Sequence, residues 1–280
     1  MSEFHNICER RKLKVNFGKS KVMVFERRKS EVIKFAKPYR VKQESELGCN
    51  IIIEGTKLEE VREFKYLGSM LCKYGSMEGE IRERAVKGRQ AIGTLGRIMR
   101  GRNVSLNVKK GLRNSIVLPT LTYGSETWTW NDAQQSRVQA VEMSYLRGAC
   151  GVTRWDRERN ESVYERFGMS EKGIGIDCGV VEWVKRNTLR WFGHLERMEK
   201  GEITRRVYES EIEGPGVRGR PPVRWINRVE DYVRERNQGR MQVLGNVRQA
   251  CLDRSSWRNY CRGHPLGGSS RRGRGVGDID

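Results

Sequence analysis

The chain has 280 residues, with 55 Lys and Arg against 35 Asp and Glu, giving a net charge of +20 and a pI near 10.0. Mean hydropathy is −0.73, and no stretch approaches the roughly 18 consecutive apolar residues that cross a bilayer. The opening segment carries no apolar run after its charges, which argues against a secretory signal and leaves a basic, soluble, intracellular protein of one or two domains, nuclear or cytoplasmic.

The first 75 residues read as β-rich. Leu13, Val15 and Phe17 alternate with polar residues, the period of a half-buried strand, and Val22 to Phe25 form a second run that could pair with it through Gly18. Residues 30–48 are charged and irregular, as a loop is. Ile51 to Ile53 and Lys57 to Val61 flank Glu54-Gly55-Thr56, a short hairpin with glycine in the turn. Phe64 to Gly68 makes one more strand.

After Gly75 the period becomes helical. Ser76 is a plausible N-cap, with Glu78 and Glu80 near the positive end of the helix dipole and Ile81, Ala85, Ile92, Leu95 and Met99 following at helical spacing. Gly79, Gly88, Gly93 and Gly96 weaken that helix. Ser105 can cap a second, carrying Leu106, Leu112 and Ile116, which must stop or kink before Pro119. Asp132 can cap a third, with Val138, Val141 and Tyr145 on one side. A fourth carries Val180, Val184, Trp191, Leu195 and Met198. Two more carry Trp225, Val229 and Tyr232, then Leu244, Val247, Cys251 and Trp257. From Gly263 the chain is rich in Gly, Arg and Ser and is expected to be disordered.

Seven cysteines, Cys8, Cys49, Cys72, Cys150, Cys178, Cys251 and Cys261, are widely spaced and odd in number, which favours reduced thiols over a disulfide framework. Cys261-x2-His264, with Cys251 upstream, is the nearest approach to a zinc pattern and supplies too few ligands, so no metal site is expected. His194 stands without a Cys or second His nearby and reads as a stacking or core-edge residue. Trp191, Trp225 and Trp257 fall on apolar helix sides, as core residues do. Asp156, Asp177 and Asp253 are isolated and suggest no acid/base pair.

The charge is clustered. Residues 1–42 hold thirteen basic and four acidic residues, and residues 86–113 hold eight basic and none acidic, whereas residues 44–85 are net −3. A polyanion rewards clustered cations by releasing counterions, so nucleic acid, RNA or DNA held mainly by its backbone, is the expected partner, against the alternative of a solvated face. No membrane or small-molecule partner is indicated. Lys87, Arg89, Arg97, Arg100, Arg102, Lys109 and Lys110 are the candidate phosphate contacts, and Arg218-Gly219-Arg220-Pro221 resembles an AT-hook core that could enter an A·T minor groove, or serve as a basic linker.

Leu13-Lys-Val-Asn16-Phe-Gly-Lys19-Ser20 resembles a reverse transcriptase segment that often reads Gly-Leu-x-(Ile/Val)-Asn-x-x-Lys-(Ser/Thr). Phe64-Lys-Tyr66-Leu67-Gly68 resembles the primer-grip hairpin that follows it. Pro119 to Trp128, Leu146-Arg147-Gly148, Arg190-Trp191-Phe192-Gly193-His194 with Arg197-Met198, and Gly219-Arg220-Pro221 with Arg224-Trp225 occur in family order. Together they are similar to non-LTR, LINE-type retrotransposon reverse transcriptases, most like the RTE-like group, from about Arg10 to Gly263.

That resemblance implies an α+β chain. A small antiparallel palm remnant (1–75) precedes a helical thumb-like region (76–165), a helical C-terminal region (166–262) and a disordered Gly/Arg tail (263–280). It places Tyr66, Leu67 and Gly68 at the primer's 3′ end, or Tyr66 in a core, and matches Lys19 to a lysine that supports pyrophosphate departure. Lys12 stands where the family often has glycine. The family's polymerase uses Mg2+ held by palm carboxylates. No Asp-Asp pair occurs here and no Asp precedes Asp132, so the chain is expected to be the C-terminal third of a parent polyprotein, inactive alone, without catalytic residues or cofactor.

Overall fold

Residues 6–8, 10–14, 16–25, 51–53, 55–101, 103–173, 177–210, 223–237 and 244–264 are described by a computed structural model. Six short strands in this set pair two by two. β1 (Lys21–Val22) runs parallel to β4 (Glu59–Glu60), β2 (Ile52–Ile53) is antiparallel to β3 (Thr56–Lys57), and β5 (Glu63–Tyr66) is antiparallel to β6 (Ser69–Cys72). The helices are α1 (Glu78–Thr94), α2 (Gly96–Arg100), α3 (Leu106–Leu112), α4 (Leu118–Leu121), α5 (Asp132–Cys150), α6 (Asn160–Arg166), α7 (Val180–Glu196), α8 (Ile203–Glu209), α9 (Trp225–Arg236), α10 (Leu244–Leu252) and α11 (Arg254–Arg262). The architecture is α+β, as the sequence pattern predicts. Two compact units divide within α1, the first ending at Glu83 and the second beginning at Arg84.

In the first unit the expected Leu13–Phe17 strand does not form among the described residues. Lys12 takes a left-handed φ of 53°, and the Asn16 side chain accepts from the Lys19 amide at 3.1 Å, closing a turn. A short polar side chain that bonds nearby backbone competes with a strand ladder, and here it wins. β1 therefore pairs not with its neighbour but with β4, with Lys21 Nζ 2.5 Å from Glu59 Oε2. The β2–β3 hairpin forms around Gly55 as expected. The β5–β6 hairpin packs onto the first turns of α1, where the Met70 amide donates to Glu80 Oε2 at 2.6 Å and Lys65 Nζ to Glu83 Oε1 at 2.7 Å.

In the second unit, Ala85, Ile92, Leu95 and Met99 are all buried, on the stripe their spacing predicts. The Ser105 side chain caps α3 by accepting from the Val108 amide. The Leu106–Leu112–Ile116 face, however, is not the buried one. A π-helical turn, Arg113–Val117, precedes α4 with its Pro119, and the buried row is Lys109, Arg113, Val117 and Leu121. Proline lacks an N–H and its ring crowds the carbonyl four residues back, so the helix widens by one residue and its inward face shifts. α5 is capped by Asn131, in a reciprocal box with Gln134, rather than by Asp132. Val138, Val141 and Tyr145 are buried on it as expected.

Two charged side chains sit at the centre of this unit. Arg113 and Glu142 are each 1% exposed. Arg113 Nε donates to Glu142 Oε1 at 3.0 Å, while the Tyr164 hydroxyl and the Val180 amide donate to Oε2 at 2.6 and 2.8 Å. One carboxylate thus joins the π turn, α5, α6 and the start of α7. Burial, followed by the nearby Glu142 charge, raises the Tyr164 pKa. A second core gathers Leu189, Phe192, Val229, Tyr232, Val247, Cys251, Trp257 and Tyr260 from α7, α9, α10 and α11. The last predicted helix is in fact two. Asp253 interrupts it, its carboxylate accepting from the Ser255 amide at 2.9 Å. Trp130 Nε1 donates to the Tyr232 hydroxyl at 2.9 Å and Trp225 Nε1 to the Glu126 carbonyl at 2.8 Å, so the Pro119–Trp128 segment is built into this core.

Candidate nucleic-acid interface

Local sequence explains how each predicted contact is placed. Tyr66 and Ser69 face each other across β5–β6, leaving Leu67 and Gly68 as a two-residue loop with φ of 47° and 87°. Two positive φ values make the tight turn whose twist matches the strands, which glycine accepts freely and leucine does not. Leu67 is 75% exposed and Tyr66 58%. Tyr66 is therefore not a core residue. The hairpin offers an apolar tip, Tyr66-Leu67, held in a strained backbone.

Lys19 lies exposed on the Asn16 turn. Lys12 adopts the left-handed conformation that glycine favours, at the position where the resembling segment has glycine.

Among the seven clustered cations, two are structural. Lys109 is buried and its Nζ donates to the Ala149 carbonyl at 2.9 Å, while its own carbonyl accepts from the Tyr145 hydroxyl. Lys110 Nζ donates to the Gly168 carbonyl at 2.5 Å and lies 3.6 Å from Asp177. Both leave the phosphate-binding set, because their ammonium groups already close gaps between helices. Lys87 is half-buried and engaged. Arg89, Arg97 and Arg100 remain exposed on α1 and α2. Arg102, Arg218 and Arg220 lie outside the described residues, as do the whole AT-hook-like segment and residues 265–280 of the Gly/Arg tail.

Of the exposed arginines, Arg100 lines a groove of about 650 Å³ between α1–α2 and α5. Ile92, Met99 and Met143 line it with apolar surface, and Ser136, Gln139, Ser144 and Asn160 with polar groups. Three arginines, Arg100, Arg147 and Arg154, converge on it. Arg100 is steadied by its own helix, Nε donating to the Gly96 carbonyl at 3.1 Å, and Arg147 by the Glu158 carbonyl and Asn160 Oδ1 at 3.1 and 2.9 Å. Arg89 precedes Gly93 by four residues, on the same helical stripe.

Beside Arg154 stands Trp155, 91% exposed. Its loop is ordered: the Thr153 amide and hydroxyl donate to Asp156 Oδ2 at 2.6 and 2.8 Å, holding that carboxyl below its usual range, and Arg157 is left-handed at φ 51°. An indole left in water by a structured loop, with Arg154 and Arg157 around it, suits a ring that stacks on a partner. Sequence periodicity misses Trp155. The readable signal is Arg-Trp-Asp-Arg, a tryptophan with no apolar companion.

Among the described residues no three His, Cys, Asp or Glu side chains gather as metal ligands. Cys8, Cys72, Cys150, Cys178, Cys251 and Cys261 are free thiols. No described helix is long and apolar enough to cross a membrane.

No family model matches the chain and no solved structure matches it. An uncharacterized transposon-derived protein of Caenorhabditis elegans is 28% identical over 262 residues, which cover 92% of this chain and 85% of that protein. A match of that length supports a transposon origin for this chain.

Proposed function

We propose that the chain derives from a LINE-type retrotransposon reverse transcriptase, that it holds RNA or DNA by its phosphates, and that it does not polymerise alone. The carrying observation is the convergence of Arg100, Arg147 and Arg154 on one groove beside the exposed Trp155. Two guanidinium groups on helices (Arg100 and Arg147) and one on the ordered Thr153–Arg157 loop (Arg154) bind phosphate oxygens without reading bases, and an aromatic ring adds stacking of any base. The polymerase parentage rests on the ordered motifs, on the exposed Tyr66-Leu67-Gly68 tip, and on Lys12, whose left-handed backbone suits the glycine of the resembling segment. Inactivity follows from the lack of any aspartate before Asp132 and of any Asp-Asp pair, because in-line phosphoryl transfer needs clustered carboxylates for its metal ions.

Filter binding across a salt series tests the first part. Affinity should fall steeply with salt, and Arg100→Ala with Arg154→Ala should flatten the log–log slope by about two, near one per phosphate contact. Trp155→Ser should weaken binding further while leaving the melting temperature unchanged. Salt-independent affinity would sink the phosphate reading. Incorporation of labelled deoxynucleotides on a primed template would sink the inactive one.

A further inference from the structure

The faces of α7 and α11 that turn away from the second core carry a separate feature. Trp257 of α11 sits directly on α7: its Nε1 donates to the Leu189 carbonyl at 2.9 Å, and a Cβ built on Gly193 would lie 2.1 Å from that nitrogen. Only glycine permits so close an approach. The two helices are thereby fixed side by side, and two adjoining recesses of about 340 and 330 Å³ open along the seam. Asn187, Arg190 and Arg258 line both recesses. One ends at Trp191, whose ring centroid lies 5.2 Å from that of His194, and the other reaches Trp183. Trp183 and Trp191 are eight residues apart on one helix, about 12 Å along its axis.

The charge of this seam is unbalanced. Arg254, Arg258 and Arg262 recur every fourth residue along α11, all exposed, opposite Arg190 on α7. None of these four makes an ion pair among the described residues, although Glu126 lines the first recess. Like charges spaced by four on a helix repel, and Arg254 stands at the positive end of the helix dipole. Water and salt screen this repulsion only in part, and an anion lying between the rows relieves it. Arg197 completes the recess from below and is held by the Cys251 carbonyl at 2.5 Å. A duplex would meet such a recess only with its phosphates, since its bases are stacked inward. A single strand can place unstacked bases on Trp183 and Trp191 while its backbone follows the arginines.

We infer that the α7–α11 seam binds single-stranded nucleic acid, with Arg190, Arg254 and Arg258 on the phosphates and Trp191 and Trp183 as stacking surfaces. The inference deepens the nucleic-acid reading above by adding a second site on a different part of the molecule.

Fluorescence anisotropy with labelled oligo(dT) and with a labelled duplex, on the full chain, separates the two. Arg254→Ala with Arg258→Ala should weaken oligo(dT) binding about tenfold or more, and Trp191→Leu about fivefold or more, the effect of losing one stacked base. Duplex affinity should stay within about twofold in both variants, and circular dichroism should be unchanged. Arg100→Ala with Arg154→Ala should weaken both probes, because the groove holds the phosphates of either. Native oligo(dT) affinity in both seam variants would overturn this inference and leave the groove reading standing, whereas a parent chain that binds neither probe would overturn both. Displacement of oligo(dT) by polyglutamate as readily as by unlabelled oligonucleotide would replace the stacked strand with a generic polyanion.

Discussion

Glu142 accepts hydrogen bonds from Arg113, Tyr164 and Val180, and every donor comes from a different stretch of chain. Removing one partner of a fully buried pair leaves the other charge unsolvated, which costs about 3–5 kcal/mol, whereas exposed pairs such as Lys21–Glu59 contribute about 0–1 kcal/mol. Glu142→Ala should therefore lower the unfolding free energy by about 3–5 kcal/mol in urea titrations. Replacing both partners, Arg113→Met with Glu142→Leu, should recover only part of that loss: no buried charge is then left alone, but the Tyr164 hydroxyl and the Val180 amide still lose their acceptor. A single variant within about 1 kcal/mol of the parent would show that the hub is not what ties these helices. The same partners explain what sequence could not reveal. Lys109, Lys110 and Arg113 sit in an acid-free run and look like one binding face. Their partners at Ala149, Gly168, Glu142 and Cys178 are 40, 58, 29 and 65 residues away. Long-range pairing of that kind leaves no trace in local charge patterns, whereas Arg89, Arg97 and Arg100, which have no such partner helix, keep the exposure the sequence suggested.

The β5–β6 hairpin shows how far an element can be read and what its strain implies. Its position was legible, since Phe64 to Gly68 resembles a hairpin segment and Gly68 sits in its turn. The conformation of Leu67 was not, because a leucine at φ 47° contradicts local preference. Holding it there costs about 1–2 kcal/mol, whereas asparagine tolerates the left-handed region. Leu67→Asn should then stabilise the hairpin by about 1 kcal/mol and slow exchange of its ladder amides about fivefold. Faster exchange in the variant would mean that Leu67 is held by packing rather than strained. If the tip contacts nucleic acid, the same substitution also weakens binding. The long helices α1, α5 and α7 were legible for the opposite reason: their buried residues recur with the helical period, and burial follows period. The disturbance before Pro119 was legible from the proline itself, but its form as a π turn was not, and the break at Asp253 was hidden, since it depends on how a polar side chain meets nearby backbone rather than on hydrophobic spacing. The parallel β1–β4 pairing spans 38 residues and was hidden by distance.

At the scale of the whole molecule, a net charge of +20 and a core rich in thiols and phenols respond to rising pH in opposite senses. Burial pushes the Cys178 thiol up to about 11 and Cys261 to about 12, and raises Cys251 as well. Burial likewise pushes the Tyr145 and Tyr260 hydroxyls up to about 12. Each group keeps its proton in the folded chain at a pH where the unfolded chain, with thiols near 8.5 and phenols near 10, has lost it. The unfolded state then binds fewer protons, so stability is fully present below those unfolded values and declines as pH rises through them towards the folded ones. Losing positive charge acts the other way by easing self-repulsion, but lysines titrate near 10.4 and arginines well above that, so this relief arrives after the thiols have begun to ionise. The urea midpoint should therefore hold steady from pH 7 to about 8.5, fall between 9 and 10 as the thiols ionise, and fall further as the phenols follow. Cys178→Ser, Cys251→Ser and Cys261→Ser combined should remove most of the first decline, leaving the part due to Cys150, whose thiol burial also raises, and keep the second, at some loss of stability at every pH. A midpoint that stays constant to pH 11 in the parent would mean that these thiols and phenols are reachable by water in the folded chain, and that the core around Phe192 and Trp257 is looser than its packing implies.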